Sequence, residues 1–373
     1  MRSVIFVAYS MNVGGVEKAL LAVLKRYVSE GWDVHLALLS TSGGLLNALP
    51  AQVHIHKIKD FSRLKPLLHN PLRSQIRVAL SRIDIKKLWL ILGSLFQKCI
   101  FKTNYALYKR AFSDVPVFSK KKFDLAVAFA GPFSFIDYYV ATKINASQKW
   151  GWIHYDISKF YCDKHLISKV YKNFDRINVV SKKAKEIFDA YFPQFKTNTH
   201  YEPNIIDTDE IHKLSQERLN EDLLKDCEEN VVLLTVGRVS KEKGQYLALE
   251  AFKTLLNQGV RNVIWWFVGY GNDIERCKRF VSENGLMDSV RFLGSDINPY
   301  KYMKACDIYI QPSLHEGFCI TLGEALLFDK QMIATNFTGA NEQLKGRGKI
   351  VNFSAEELSV AILESLQTIE VPS

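Results

Sequence analysis

Short apolar runs alternate with amphipathic helical stretches along the whole chain. In the first half, the runs that predict buried strands are Val4–Ala8, Val34–Leu39, Val53–Ile58, Leu125–Ala130, Lys149–Ile153 and Arg176–Val180. In the second half, they are Val231–Val236, Val263–Val268, Val290–Leu293, Ile308–Gln311 and Met332–Thr335. This alternation is typical of parallel sheets that are covered by helices, so the pattern predicts the α/β class.

The helical pattern between the first two strands shows how the elements are delimited. Apolar residues recur on one face from about Val16 to Ser29, and Gly31 ends the run. A composition break falls at Tyr201–Asp207, where apolar runs give way to acidic helical sequence. The chain has 373 residues, whereas one hydrophobic core rarely serves more than about 300. We predict an N-terminal domain over 1–204, a C-terminal domain over 205–355 and a terminal helix over 356–373.

Composition limits the class of protein. The chain is 47% hydrophobic and 24% charged, as is ordinary for a globular enzyme. The apolar run Leu88–Phe96 is interrupted by Gly93 and Ser94, and it is shorter than the about 20 residues that a membrane span needs. The six cysteines are scattered, which indicates free thiols rather than a disulfide framework or a zinc site. We therefore expect a cytoplasmic protein.

The net charge of +10 is concentrated in one segment. Residues 51–123 contain 16 Lys or Arg and three acidic residues, which leaves the rest of the chain at −3. Within about 57–122, cations are interleaved with apolar residues, most densely from Arg73 to Arg110. This pattern is typical of a basic helix on an anionic membrane surface, and a solvated helix face packed on its own domain is the alternative. Nucleic acid is a poorer partner, and we expect none, because no binding motif or stacking platform is recognised.

Two segments have the composition of a phosphate site. Gly14-Gly15 follows the first strand and opens a helix, where free backbone N–H groups can meet a phosphate. Arg238 and Lys243 lie between a buried strand and a helix, and two cations at this spacing can flank a pyrophosphate. The alternatives are an ordinary turn and two solvated cations. A nicotinamide enzyme is disfavoured, because the G-x-G-x-x-G that begins at Gly269 has Ile274 in its third glycine position.

Three further residues lie where the predicted strands end. Glu316 is expected at the mouth of a helix, beside free N–H groups, and Glu324 lies two turns further on. A carboxylate suits a ribose diol because it accepts two hydroxyl donors side by side. His154 ends an apolar strand, at the edge where open α/β sheets bind ligands. The alternatives are an exposed Glu316, an ordinary helical Glu324 and a structural histidine.

In this order, the segments resemble the retaining GT-B glycosyltransferases, the family of lipid mannosyltransferases and many capsule and O-antigen enzymes. The resemblance covers nearly the whole chain and includes an E-x7-E spacing after a strand that ends in Pro-Ser. The matching segments are Gly14-Gly15-Val16-Glu17, His154, Pro203-Asn204-Ile205-Ile206-Asp207, Gly237-Arg238, Lys243-Gly244, Val268-Gly269-Tyr270-Gly271 and Glu316–Glu324. The resemblance implies two Rossmann-like parallel-sheet domains that face each other across a cleft.

The resemblance also implies roles for individual residues. The cations would neutralise the leaving diphosphate without a metal or another cofactor, and Glu324 would bind the ribose. Leu293 would offer backbone groups to the base. The implied catalytic residues are Glu316, His154, Arg238 and Lys243. The implied donor-binding residues are Gly14, Gly15, Arg238, Lys243, Leu293, Glu316, Gly317, Phe318, Cys319, Ile320 and Glu324.

The implied reaction is transfer of a sugar from a nucleoside-diphosphate donor to a glycan or lipid-linked acceptor, with retention at the anomeric carbon. It would serve surface polysaccharide or glycolipid biosynthesis, on the inner face of the cell membrane. An epimerase, a phosphorylase or a non-catalytic scaffold on the same fold is the alternative. The chain departs from the family at Cys319, where Gly or Pro is frequent. Asp207-Thr208-Asp209 has the D-x-D pattern of metal sites in another fold, but we interpret it as a helix cap and linker.

Overall fold

The computed structural model describes residues 1–69, 93, 103–131 and 135–369, which group into two compact units. The first unit consists of Met1–Asn12, Leu20–Val180 and Ala184–Pro203. The second unit consists of Val13–Ala19, Ser181–Lys183 and Asn204–Ser373. Most of the basic stretch from Arg73 to Arg110 lies outside the described residues.

The first unit is built on a seven-stranded parallel sheet. Its strands β1 to β7 are Ser3–Ala8, Asp33–Leu38, His54–Lys57, Phe123–Gly131, Ala146–Ile153, Arg176–Val179 and Thr199–Tyr201. Their order across the sheet is β3-β2-β1-β4-β5-β6-β7. The central strands β1 and β4 are buried almost throughout, as in parallel sheets covered on both faces. This burial on both faces explains why the strands at these positions are continuous apolar runs.

Helices connect these strands, and aromatic side chains fill the space beneath them. The helices described here, α1 to α6, are Gly15–Ser29, Asp60–His69, Tyr105–Ala111, Phe135–Lys143, Lys164–Tyr171 and Lys182–Tyr191. The Phe112 ring lies 4.8 Å from that of Phe135 and 4.7 Å from that of Tyr138, between centroids. Such tilted aromatic pairs stabilise a core beyond the area that they bury.

The second unit repeats the plan with a six-stranded parallel sheet. Its strands β8 to β13 are Val231–Val236, Val263–Val268, Val290–Gly294, Ile308–Gln311, Gln331–Thr335 and Lys349–Val351, in the order β10-β9-β8-β11-β12-β13. Its helices α7 to α14 are Thr208–Leu214, Glu221–Glu229, Gln245–Asn257, Ile274–Glu283, Tyr300–Ala305, Ile320–Ala325, Ala340–Leu344 and Ala355–Leu366. Trp265 and Trp266, adjacent on β9, pack into the cores on opposite faces of the sheet.

The prediction of two Rossmann-like parallel sheets is confirmed, and each predicted strand coincides with an observed one to within three residues. The edge strands Thr199–Tyr201 and Lys349–Val351 are not among the predicted runs, because three residues are too few to show a periodicity. Residues 13–19, which the sequence assigns to the first domain, group with the second unit instead. The facing of the two sheets across a cleft stays a prediction.

Of the terminal helix predicted over 356–373, the structure shows α14, which ends at Leu366 and belongs to the second unit; residues 370–373 lie outside the described residues. Leu358 and Ile362 are buried in the core that this helix shares with α9. Asp207 caps α7, since its side chain accepts a hydrogen bond from the N–H of Glu210 at 3.2 Å. The interpretation of the D-x-D segment as a helix cap is therefore confirmed.

Two glycines of the second unit provide a test of how tightly its loops pack. Both have left-handed backbones, with φ of 74° at Gly244 and 91° at Gly259. A Cβ on Gly244 would lie 1.9 Å from the carbonyl oxygen of Pro312, whereas a Cβ on Gly259 would meet nothing within 4 Å. We expect Gly259→Ala to lower the free energy of unfolding by about 1 kcal/mol, from the backbone alone. Gly244→Ala should lower it by about 3 kcal/mol or more, because overpacking is added.

Urea denaturation of both variants, followed by tryptophan fluorescence, measures this difference. Trp265 and Trp266 report on the unit that carries both glycines. Equal losses in the two variants would contradict the close approach of Gly244 to Pro312.

Candidate functional site

The order of the second sheet reverses between β8 and β11, which are neighbours at its centre. In open parallel sheets, the connections that follow two such strands lead to opposite faces and leave a crevice between their loops. The loop after β8 carries Arg238 and Lys243, and the loop after β11 carries Glu316. The topology therefore brings three of the predicted site residues to the place where such sheets bind ligands.

Lys243 and Glu316 form an ion pair between these two loops. Lys243 Nζ donates to Glu316 Oε1, and the hydroxyl of Ser313 donates to the same oxygen at 2.9 Å. The two side chains are only 22% and 10% exposed. Burial alone would lower the pKa of Lys243, but the Glu316 carboxylate more than offsets this and raises that pKa above its usual value. Lys243 is thus a buried cation that keeps its charge at neutral pH.

A chain of hydrogen-bonded polar groups, most of them buried, is connected to Glu316 through Ser313. Gln311 Nε2 donates to the Ser313 hydroxyl at 2.8 Å. The hydroxyl of Tyr309 donates to Gln311 Oε1 at 2.9 Å, and that of Thr321 donates to the same atom at 3.2 Å. Tyr309 and Gln311 lie two residues apart on β11 and so share one face of the sheet. The loop geometry is therefore fixed before any ligand arrives.

The loop that joins Glu316 to α12 is fixed separately by Gln343. The Cys319 N–H donates to Gln343 Oε1 at 2.9 Å, and Gln343 Nε2 donates back to the Cys319 carbonyl at 2.8 Å. Burial raises the pKa of the Cys319 thiol to about 12. The backbone N–H of Cys319, which is predicted to bind the donor, thus already donates to Gln343. The Cys319 side chain lies buried inside the loop.

Glu324 is a buried carboxylate, only 2% exposed, rather than an ordinary helical acid. Its Oε1 accepts a hydrogen bond from the Tyr300 hydroxyl at 2.8 Å and another from Lys18 Nζ at 3.1 Å. Burial and the nearby Glu324 carboxylate raise the pKa of Tyr300 well above its usual value, so its hydroxyl keeps the proton that it donates. Lys18 belongs to the segment 13–19 of the second unit.

The segment 13–19 places the predicted glycine turn next to α12. An ideal Cβ on Gly15 would lie 3.7 Å from Ile320 Cδ1, and one on Gly14 would lie 2.5 Å from a carboxylate oxygen of Glu17. Burial raises the pKa of Glu17, and the positive charge of Arg238 partly opposes this. Gly14 and Gly15 therefore lie in the same unit as Arg238 and near the loop that follows Glu316.

Arg238 differs from Lys243 in its exposure. Its side chain is 67% exposed, and its Nη2 lies 2.9 Å from Glu242 Oε1, four residues along the chain. The alternative of two solvated cations thus describes Arg238 but is wrong for Lys243. Leu293, the residue expected to face the base, is partly buried near the end of β10 and packs against the core beneath.

His154 lies in the first unit and is only 8% exposed. It donates to the carbonyl of Phe129, against whose ring it packs at 4.7 Å between centroids, and its Nε2 has no hydrogen-bond partner. Burial lowers the pKa of His154 to about 3, so the ring is neutral at physiological pH. Its place beside the reacting carbon stays a prediction.

Comparison with known proteins relates most of the second unit to a known family. Residues 215–368 match the family described as glycosyl transferases group 1. An N-acetylgalactosamine-N,N'-diacetylbacillosaminyl-diphospho-undecaprenol 4-alpha-N-acetylgalactosaminyltransferase of Campylobacter jejuni is 27% identical over 342 residues, which are 91% of this chain and 82% of that protein. Residues 215–368 of this chain therefore form a glycosyltransferase group 1 domain.

A second relative matches the enzyme over a shorter region. An uncharacterized glycosyltransferase of Methanocaldococcus jannaschii is 29% identical over 175 residues, which are 47% of this chain and 43% of the relative. The enzyme thus aligns with less than half of the length of this archaeal protein.

Solved structures share the fold of the enzyme. The Anabaena protein HepE, solved in complex with UDP and glucose, superposes with a TM-score of 0.69 over 99% of this chain and 90% of its own, at 17% identity. WaaG, a glycosyltransferase involved in lipopolysaccharide biosynthesis, superposes with a TM-score of 0.60 over 98% and 90%, at 15% identity. Both superpositions cover nearly the whole chain, and they confirm the expected fold class of two parallel-sheet domains.

Sequence reasoning missed the partners of the carboxylates. Lys18 directly follows the segment Gly14–Glu17, but nothing in its local sequence predicts a contact with a residue more than 300 positions away. Tyr300 and Gln343 lie in short helices without any recognised motif. Within the described ranges, no helix is long and apolar enough to cross a bilayer.

The neutral, buried state of His154 predicts a pH dependence of stability. The unfolded chain takes up a proton on this histidine near pH 6.5, whereas the folded protein does so only near pH 3. The free energy of unfolding should therefore fall as the pH is lowered from about 6.5 towards 4. In His154→Asn, whose amide can still donate to the Phe129 carbonyl, the fall should be smaller by up to about 1.4 kcal/mol per pH unit.

Urea denaturation of both proteins between pH 4 and pH 7.5 measures this difference. The pKa values of His35 and His56 are also lowered by burial, but their contributions are common to both proteins and cancel. Parallel stability curves would show that His154 is not held neutral by burial.

Proposed function

We propose that the enzyme transfers a sugar from a nucleoside-diphosphate donor to a glycan or lipid-linked acceptor, with retention, in surface polysaccharide or glycolipid biosynthesis. The observation that carries this proposal is the buried Lys243–Glu316 pair between the loops that follow β8 and β11. A cation fixed at this place suits a diphosphate, and a carboxylate beside it suits sugar hydroxyls.

In this proposal, the two cations act on the leaving diphosphate. Negative charge grows on the diphosphate as its bond to the sugar breaks, and charges that are already in position stabilise it without reorganisation. Lys243 is buried and held by its loop, so it is the fixed charge. Arg238 is exposed and close to Glu242, so it is the charge that can turn towards the ligand. This chemistry requires no metal ion.

The carboxylates and the loop between them bind the rest of the donor. Glu324 accepts the ribose hydroxyls, and Glu316 binds the sugar with the backbone of Gly317, Phe318 and Ile320. Gly14 and Gly15 approach the phosphates, and Leu293 offers backbone groups to the base. A double displacement would need a carboxylate nucleophile opposite the leaving group, and we assign none. The acceptor is therefore proposed to attack from the face that the diphosphate leaves, with His154 near the reacting carbon.

In this proposal, the first unit binds the acceptor and the membrane surface. The name of the Campylobacter relative specifies an acceptor linked through a diphosphate to undecaprenol, which supports a lipid-linked acceptor here. The basic stretch within residues 51–123 supports peripheral binding to the inner face of an anionic membrane. The second unit would then hold the donor, at the reversal point of its sheet.

A thermal-shift screen against UDP, GDP, ADP and CMP, with and without EDTA, tests the donor class. A ligand that binds only the folded protein raises its melting temperature by mass action. We expect one nucleoside diphosphate to do so with EDTA present, and UDP is the first choice because HepE was solved with it. Failure of all four at millimolar concentration would refute the donor site.

Replacement of Arg238 tests the role of the exposed cation. We expect Arg238→Ala to lower kcat/KM for sugar transfer about 100-fold, because a charge-assisted contact to the leaving group is lost. Its melting temperature should not change, because the side chain is exposed. Arg279→Ala, which removes another exposed arginine of the same unit, is the matched control and should retain activity. Equal activity of the two variants would remove Arg238 from the site.

A further inference from the structure

The buried Glu324 carboxylate shares its position with two donors from distant parts of the chain. Lys18 Nζ lies 3.1 Å from the Tyr300 hydroxyl and 3.1 Å from Glu324 Oε1. The same hydroxyl donates to Glu324 Oε1 at 2.8 Å. The Lys18 ammonium, the Tyr300 hydroxyl and Glu324 Oε1 are therefore each in contact with the other two, and they form a closed triangle.

The second oxygen of this carboxylate is used much less. Glu324 Oε2 lies 3.4 Å from Lys18 Nζ, a longer contact than those of Oε1. An ionised carboxylate has about four acceptor positions, so Oε2 retains capacity for further donors. The triangle thus orients the carboxylate, and its second oxygen keeps acceptor capacity for a ligand that carries hydroxyls.

Lys18 is itself held in place. The side chain of Lys18 is 15% exposed, and its ammonium lies 4.7 Å from the centroid of the Tyr300 ring. A cation over an aromatic face is attracted by the ring, so Tyr300 positions Lys18 as well as Glu324. A long lysine side chain that is fixed in this way has lost its rotamer freedom before any ligand binds.

We propose that Lys18 is a positioning residue of the donor site, which holds the Glu324 carboxylate aligned for the ribose hydroxyls of a nucleoside diphosphate. This inference rests on the proposed function, because it takes Glu324 as the ribose ligand. Burying a carboxylate is costly unless an opposite charge and hydrogen bonds compensate it. Lys18 supplies the one positive charge within contact of this group among the described residues.

Polar groups from several elements face this carboxylate. Lys18 reaches it from α1 and Tyr300 from α11, and the buried hydroxyl of Tyr309 on β11 interacts with its charge. The acidic groups of Asp207 and Glu210 act on Tyr300 from α7 and its cap. Both add negative charge near the triangle, so the positive charge of Lys18 is required to offset more than the Glu324 carboxylate.

The test is the dissociation constant of UDP, measured by calorimetry at one neutral pH. Lys18→Met keeps the length of the side chain and removes its charge, whereas Lys18→Arg keeps a charge. We expect Lys18→Met to bind UDP about tenfold more weakly than the wild type, because Glu324 loses a charged donor that aligns it. Lys18→Arg should stay within about threefold.

Lys25→Met is the matched control, since it removes a lysine of the same helix that belongs to the first unit. It should bind UDP as the wild type does. Melting temperatures are recorded for every variant, and Lys18→Gln replaces Lys18→Met if the latter does not fold.

The remaining outcomes separate this inference from the function on which it rests. If the wild type binds none of the four nucleotides, the proposed donor site fails and this inference fails with it. If the wild type binds UDP but Lys18→Met binds it equally well or more tightly, only the role of Lys18 is refuted. A loss in Lys18→Arg as large as that in Lys18→Met would also refute it, because it would indicate a packing defect rather than the loss of a charged donor.

Discussion

The ion pair between Lys243 and Glu316 is the constraint on which the rest of the site depends. Burying a charge is costly unless an opposite charge and hydrogen bonds compensate it, and here each partner compensates the other. Neither loop can move away alone without leaving an uncompensated charge behind. The pair therefore fixes the loop after β8 relative to the loop after β11, and the hydroxyl of Ser313 completes it.

The parallel sheet explains why these loops meet. Because β8 and β11 are hydrogen-bonded neighbours that point the same way, their carboxyl ends lie side by side. Residues over 70 positions apart in the chain are thereby brought within contact. Gly244 allows the next step, since its left-handed backbone lets α9 begin against the carbonyl of Pro312. Topology, one charge pair and one glycine thus determine the local geometry.

The sequence was sufficient for those parts of the structure that depend on local patterns. Continuous apolar runs such as Val231–Val236 predict buried parallel strands, and the loops between them follow. The sequence also predicts Glu316 and Lys243 as site residues, from their positions after two strands. It could not predict the buried state of Glu324, because this depends on Tyr300 and Lys18, whose approach is set by packing between distant segments.

The proposed reaction gives the Lys243–Glu316 pair a consequence for catalysis. A donor diphosphate must share Lys243 with Glu316, so part of its attraction to the cation offsets the weakening of an existing pair. The leaving diphosphate carries one more negative charge than the intact donor, and it therefore competes for the same lysine more effectively. The cost of disturbing the pair is the same in both cases, but the gain is larger as the bond breaks. An interaction that favours the transition state over the bound substrate in this way accelerates the reaction.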